Sequence, residues 1–222
     1  MLFPRQIHAV IFDMDGLLLD TERLYRTAIF KACAHVGHEM TSALHLSLIG
    51  TPKELGDSLL RDHFGGDFDL DAYHGVCSEA FAAQCGSSIP LKDGAAELLS
   101  HLQAEGIPTG VATSTAGPIA HDRLERAGIL SFFKAVVGRT DVSLGKPDPE
   151  TYLAAAVRLG AHPDFCVALE DSHNGVRAAA AAGMTTIMVP DLLEPTPEIS
   201  DLCSWVAPSL RDVLGALSAA SA

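Results

Sequence analysis

Two pairs of carboxylates carry most of the chemistry this chain could do. Asp13 and Asp15 follow the apolar run Ala9-Val10-Ile11-Phe12, and Gly16 comes next. Glu170 and Asp171 close a second apolar run that begins at Cys166. A short apolar run bounded by turn signals reads as a buried strand. In an open α/β sheet, ligands bind beyond the carboxyl ends of the strands. Both pairs are expected there, and if the two strands are neighbours four carboxylates converge. Such a cluster is costly unless a hard cation sits in it, and Mg²⁺ with oxygen ligands is the natural occupant. Taken singly, each pair has a plainer reading. Asp-Gly is a common strand exit, and Asp171 would simply cap the next helix. Joint placement at strand ends is the stronger signal.

Two other features fit the same place. Thr113, Ser114 and Thr115 end a third apolar run and precede a helix near Pro118. Their hydroxyls and amides could cradle a phosphate, although residues of this type also serve as N-caps. Lys146 lies in Gly145-Lys146-Pro147, just before another helix. A rigid turn could aim its ammonium at negative charge; the default is a solvated loop lysine. His173, beside the acidic pair, reads as a surface or capping residue. The other nine of the ten histidines show no metal-ligand spacing.

These residues need elements to position them. Apolar runs at Ala9–Phe12, Thr109–Thr113, Ala135–Gly138, Cys166–Glu170 and Thr185–Val189 read as strands. Helical patterns separate most of them. Leu98, Leu99 and Leu102 share a face, stopped by Gly106 and Pro108. Ile119, Leu124 and Ala127 form another, closed by Gly128. Asp148-Pro149 starts a helix that Gly160 ends, and Val176–Ala182 is an alanine-rich helix ending at Gly183. Continuous apolar strands alternating with helices predict an α/β fold: a doubly wound parallel sheet covered on both faces.

Residues 21–88 show no strand pattern. Tyr25, Ala28, Ile29, Ala32 and Val36 give a helical stripe ended by Gly37. Thr51-Pro52-Lys53-Glu54 reads as a capping box with Pro at N1, followed by Leu55, Leu59 and Phe64. Leu70, Tyr73, Cys77 and Phe81 make a further helix ended by Gly86. The expected organisation is an α/β core from residues 1–20 and 89–222, with a small helical domain, 21–88, inserted after the first strand. The expected hinges are Gly16–Thr21 and Gly86–Asp93. No repeat and no low-complexity linker is visible apart from a small-residue tail after Leu217.

Composition narrows the function. Of 222 residues, 48% are apolar and 19% charged, which excludes a disordered chain. A net charge of −13 argues against nucleic acid and anionic membranes as partners. A phosphate-bearing ligand must therefore meet a local positive site: a metal, a lysine or helix N-termini. Five cysteines without a CxxC spacing read as spare thiols in a reducing cytosol. Residues 1–7 do not read as a signal peptide, and the most apolar segment, Ala178–Pro190, is too short to span a bilayer and carries Gly183. The expectation is a soluble cytoplasmic protein, a monomer or weak homo-oligomer.

The ordered motifs resemble a known superfamily. Phe12-Asp13-Met14-Asp15-Gly16 with Asp20-Thr21, then Val111-Ala112-Thr113-Ser114, Gly145-Lys146-Pro147-Asp148-Pro149 and Leu169-Glu170-Asp171-Ser172 resemble the four motifs of the haloacid dehalogenase-type phosphohydrolases. The resemblance covers nearly the whole chain. The helical insert looks like the cap of the β-phosphoglucomutase-like branch, and Phe12 to Tyr25 is especially similar to pseudouridine-5′-phosphatase-like and sugar-phosphate phosphatase members. The resemblance implies strand order 5-4-1-2-3. It implies Asp13 as nucleophile, and Asp15 as acid and base with its main-chain carbonyl on Mg²⁺. It implies Thr113, Ser114, Gly16 and neighbouring amides on the phosphoryl group, and Lys146 offsetting charge. Asp171 with Glu170 would complete the metal site. Lys53 is the best candidate in the cap for a second substrate contact, and a solvated lysine is an equal reading of it.

The expected activity is a Mg²⁺-dependent phosphomonoesterase on a sugar phosphate or nucleotide-like monophosphate. Dehalogenases of the superfamily lack the second Asp of the pair, receiver domains lack the insert, and phosphonatases use a cap lysine for which the insert offers only Lys31 and Lys53. A phosphomutase stays open as an alternative. Mutases of the branch carry a His where this chain has Tyr25 and an Arg where it has Lys53, and loss of the His favours hydrolysis. A catalytically silent sugar-phosphate sensor is the remoter alternative.

Overall fold

The computed structural model describes residues 3, 6–49, 51, 53–86 and 88–220. Pro52, Ser87 and parts of both chain ends, about which the sequence raised expectations, lie outside them. Strand β1 (Ala9–Phe12) leads into four helices, α1 (Glu22–His35), α2 (Ser42–Leu48), α3 (Lys53–Phe64) and α4 (Leu70–Cys85). Then follow α5 (Ala95–Ala104), β2 (Thr109–Ala112), α6 (Gly117–Arg126), β3 (Phe133–Val137), α7 (Glu150–Leu159), β4 (Cys166–Glu170), α8 (His173–Ala181), β5 (Thr185–Met188), α9 (Pro197–Leu202), β6 (Trp205–Val206) and α10 (Leu210–Ala220).

All six strands form one parallel sheet in the order β3-β2-β1-β4-β5-β6. The five strands read from the sequence are present, and the order implied by the resemblance holds. β6 is an addition, and at two residues it is too short to show a period. The central strands are buried on both faces, so their side chains alternate between two cores. Val10 and Phe12 join Leu98, Leu99, Leu124 and Val213 on one side. Ala9 and Ile11 join Tyr152, Ala155, Ala178 and Ala179 on the other.

Several local expectations are corrected. Ile119 is half exposed; α6 instead buries Ala120, Arg123 and Leu124. The helix after Asp148-Pro149 begins one residue later than read, with Asp148 Oδ1 accepting from the Glu150 amide. Thr51 Oγ1 donates back to the Leu48 carbonyl at 2.7 Å rather than closing a capping box. The segment after Leu217 continues α10 to Ala220 rather than forming a tail. α2 shows no apolar stripe in the sequence; Thr41 caps it by accepting from the Leu44 amide at 3.1 Å.

Within α1–α4, Ala32, Cys33, Leu60, Phe68 and Tyr73 make a core of their own. Ala28, Ala80 and Phe81 belong instead to the main cluster beneath. No helix among the described residues is long and apolar enough to cross a membrane.

The central strand sets the stability. Phe12 is fully buried, whereas Val157 is 78% exposed. Phe12→Ala should cost about 3–5 kcal/mol, and Val157→Ala should stay within about 0.5 kcal/mol, both read by urea denaturation.

Candidate active site

Register brings the sequence motifs to one sheet edge. Phe12 pairs with Val111 on one side and Leu169 on the other. Asp13, Thr113 and Glu170 thus emerge together at the carboxyl ends of three adjacent strands. The Asp13 amide donates to the Leu169 carbonyl and the Thr113 amide to the Val137 carbonyl, each at 2.9 Å.

Lys146 ties the edge together. Its ammonium donates to Asp13 Oδ1 and to Glu170 Oε1, each at 2.5 Å, and is almost fully buried. Glu170 is 0% exposed, so every lone pair needs a donor. Oε1 also accepts from the Tyr152 hydroxyl at 2.9 Å. Oε2 accepts from the Asp171 and Ser172 amides at 3.1 Å and from Ser172 Oγ at 3.0 Å. The carboxylate lies against Gly175 at the start of α8, where a Cβ would overlap it. Gly175 and Tyr152 were not read as site residues. Nothing in their spacing marks them, because Tyr152 meets Glu170 from eighteen residues away and Gly175 meets it across the start of α8.

The charges do not balance. Oxygens of Asp13, Glu170 and Asp171 lie within 4.8 Å of one another, all buried, and face one ammonium. Burial pushes the Asp13 carboxyl up to about 7, with Lys146 opposing and Glu170 adding to the shift. Burial also works against the Lys146 ammonium, but Asp13 and Glu170 outweigh it and hold its pKa above the usual lysine range. Three hard oxygen donors with surplus negative charge suit Mg²⁺.

Asp15 sits apart from this cluster. Its Oδ1 accepts from Thr21 Oγ1 at 2.9 Å and from Arg123 at 2.8 Å, and its Oδ2 from Thr115 Oγ1 at 2.7 Å. Arg123 also donates to the Tyr25 hydroxyl and lies over the rings of Tyr25 and Phe81, at 5.2 and 4.6 Å. This arginine joins α6 to α1 and α4. It was missed because an arginine between Ala120 and Leu124 reads as a surface residue.

The phosphate cradle is narrower than the sequence suggested. The Thr113 amide is committed to Val137, the Thr115 amide to Thr113 Oγ1 at 3.1 Å, and the Thr115 hydroxyl to Asp15. Among the described residues, the Met14, Asp15 and Ser114 amides donate to no protein acceptor. Gly16 turns away: its positive φ of 85° suits glycine, and its amide donates to the Leu19 carbonyl. Lys53 is exposed at the start of α3 and does not line the cleft. His173 Nε2 donates to the Glu194 carbonyl at 2.9 Å, away from the acidic cluster.

The cleft over this edge holds about 300 Å³. Asp13, Asp15, Thr113, Lys146 and Asp171 line its floor, and residues of α1 and α2 with Ile49 and Thr51 form its roof.

Tyr152→Phe removes a donor from a buried carboxylate and should cost about 1.5–3 kcal/mol in chemical denaturation. Gly175→Ala should displace Glu170, visible as lost activity with retained far-UV circular dichroism.

Comparison with known proteins places the arrangement. A family model for haloacid dehalogenase-like hydrolases matches residues 7–183. The phosphorylated carbohydrates phosphatase of Thermotoga maritima is 34% identical over 181 residues, covering 82% of this chain and 84% of the relative. A protein named probable pseudouridine-5′-phosphatase from Drosophila melanogaster is 34% identical over 193 residues, covering 84% and 83%. The crystal structure of a HAD family hydrolase from Deinococcus radiodurans with bound phosphate and sodium superposes with a TM-score of 0.80 at 26% identity, covering 98% of each chain. The chain belongs to the haloacid dehalogenase-like hydrolases, on the branch of the β-phosphoglucomutase-like and pseudouridine-5′-phosphatase-like members, and is a phosphoric monoester hydrolase.

Proposed function

We propose that this enzyme is a Mg²⁺-dependent phosphomonoesterase of a small phosphorylated metabolite, a sugar phosphate or nucleotide-like monophosphate, working through an aspartyl-phosphate on Asp13. The observation that carries the reading is the buried Lys146 held between Asp13 and Glu170 in a cleft that Asp15 and Ser114, whose amides are unengaged among the described residues, also line. Lys146 and these amides can oppose charge on a phosphoryl group, while Asp13 is fixed at the end of β1 for in-line attack.

The chemistry takes two steps. An Asp13 carboxylate oxygen attacks phosphorus, the bond to the leaving oxygen breaks, and the Asp15 carboxyl gives that oxygen a proton. Asp15, now a carboxylate, takes a proton from water, whose oxygen attacks phosphorus. The Asp13–phosphorus bond breaks, and inorganic phosphate leaves. Before either transfer Asp15 must exchange Arg123, Thr21 and Thr115 for the reacting oxygen. Thr113 and Ser114 orient the phosphoryl oxygens. Asp13 and Asp171, with the main-chain carbonyl of Asp15, would hold Mg²⁺, and Glu170 would join them on release of one of its present donors; the ion would offset phosphate charge and polarise a phosphoryl oxygen.

Residues 21–88 act as a cap on the core of 1–20 and 89–222, opening on the Gly16–Thr21 and Gly86–Asp93 segments to admit substrate and water. Tyr25 stands in the cleft with its hydroxyl taken up by Arg123, which favours release of phosphate to water over its return to a sugar. All five cysteines are free, which suits the cytoplasm.

The test is free phosphate release from a panel of sugar phosphates and nucleoside monophosphates. Mg²⁺ should support it and EDTA abolish it; conversion of hexose 1-phosphate to hexose 6-phosphate without free phosphate would identify a mutase. Asp13→Asn should lower kcat by about 10³-fold or more, because the nucleophile is lost. Asp15→Asn should lower it about 10²–10⁴-fold, with phosphoenzyme decay slowed; unchanged turnover in either variant contradicts the assignment.

A further inference from the structure

The roof of the cleft differs in chemistry from its floor. Tyr25, Ile29, His45, Leu48, Ile49 and Thr51 line it, three of them aliphatic. The polar groups among them are mostly engaged. The Tyr25 hydroxyl accepts from Arg123, and the Thr51 hydroxyl donates to the Leu48 carbonyl. His45, from α2, is the exception. It is 3% exposed, yet its ring makes no hydrogen bond within the described residues. Its nitrogens are not sealed off either, because the one buried side-chain polar atom without a partner among the described residues is Asp191 Oδ2. The ring lies edge-on to Phe30, with centroids 5.9 Å apart, so packing fixes its direction.

Burial, followed by the nearby Arg26, lowers the His45 pKa. A neutral imidazole offers one donor and one acceptor, which matches an alcohol hydroxyl rather than an anion. The charge lining the cleft points the same way. Lys146 is the sole lysine or arginine lining it among the described residues, and Asp13 and Glu170 already engage it. Arg26 acts on His45 but does not line the cleft, so a second anionic group on the substrate would be desolvated under this roof with no cation in contact beyond the engaged Lys146.

We propose that His45 is a specificity residue that hydrogen-bonds a hydroxyl of an uncharged leaving group, so that the enzyme prefers monophosphates of neutral polyols or sugars to bisphosphates and phosphorylated acids. This rests on the phosphomonoesterase reading above and narrows its substrate class. The aliphatic residues cover the carbon skeleton, and His45 reads its hydroxyl.

The test uses steady-state kinetics with Mg²⁺ on sorbitol 6-phosphate, glucose 6-phosphate and ribose 5-phosphate, against fructose 1,6-bisphosphate, 3-phosphoglycerate and p-nitrophenyl phosphate. The wild-type enzyme should show kcat/KM at least about tenfold higher on one of the neutral monophosphates than on the bisphosphate or the phosphoglycerate. His45→Leu should lower kcat/KM on that substrate about tenfold or more, mainly through KM, and leave p-nitrophenyl phosphate within about twofold. His45→Gln, which keeps a donor and an acceptor, should recover most of the loss. Equal loss on p-nitrophenyl phosphate, no loss on the sugar phosphate, or a wild-type preference for the charged substrates overturns the proposal. If His45→Leu does not fold, the wild-type preference and the His45→Gln ratios decide. No hydrolysis of any compound by the wild-type enzyme, p-nitrophenyl phosphate included, overturns the phosphomonoesterase reading itself.

Discussion

A single buried ammonium organises this molecule. Lys146 satisfies one carboxylate at the end of β1 and another at the end of β4, and neither ion has more than slight access to water. Each buried ion carries a desolvation penalty of several kcal/mol, so the arrangement survives only where the remaining lone pairs are also filled. The structure does this thoroughly for Glu170, with Tyr152 from α7 and three donors at the entry to α8. That requirement explains why β1 and β4 must be neighbours, why α8 begins with a Ser172 cap, and why Gly175 has no side chain. The surplus negative charge left over suits the place to a cation, which in turn would offset the charge of a phosphoryl group, rather than to a mere structural ion pair.

The second carboxylate of the first motif is treated differently. Asp15 is two residues from Asp13 but belongs to another network, in which Arg123 connects α6, α1 and α4. In the proposed mechanism Asp15 gives and takes protons, and a group that does so cannot stay locked beside a guanidinium, so its contacts would have to be exchangeable. They are made by side chains of the core and of the inserted helices alike, which couples the state of Asp15 to the position of the insert. In the proposed mechanism the nucleophile, Asp13, rests on strands, whereas the proton carrier, Asp15, rests on contacts shared between the core and the inserted helices. Rigid placement for one and mobility for the other follow from their different tasks.

How far the sequence could be read follows from range. The strands are legible because each is a continuous apolar run, and both acidic pairs because they end such runs. Asp13, Asp15, Thr113, Ser114, Lys146, Glu170 and Asp171 all come to one cleft or its immediate wall. Gly16 and Lys53 do not, since a motif or a cap position says nothing of which way an amide or a long side chain turns. Arg123, Tyr152 and Gly175 were invisible for a related reason: each acts through a residue at least eighteen positions away or across a helix start, and local pattern carries no trace of it. Ile119 shows the limit of periodicity itself: it is half exposed, and α6 buries Ala120, Arg123 and Leu124 instead. The residue that decides the roof, His45, lies on a helix with no apolar stripe in the sequence.

The central claim is that Asp13 carries the phosphoryl group. Quenching the enzyme during turnover with borohydride reduces an acyl phosphate to an alcohol, so an aspartyl-phosphate becomes homoserine and can be located by peptide mass. With substrate and Mg²⁺ present, residue 13 should be converted to homoserine, and without substrate it should remain aspartate. Phosphate release with no modification at residue 13, or with modification at another carboxylate, would contradict the account.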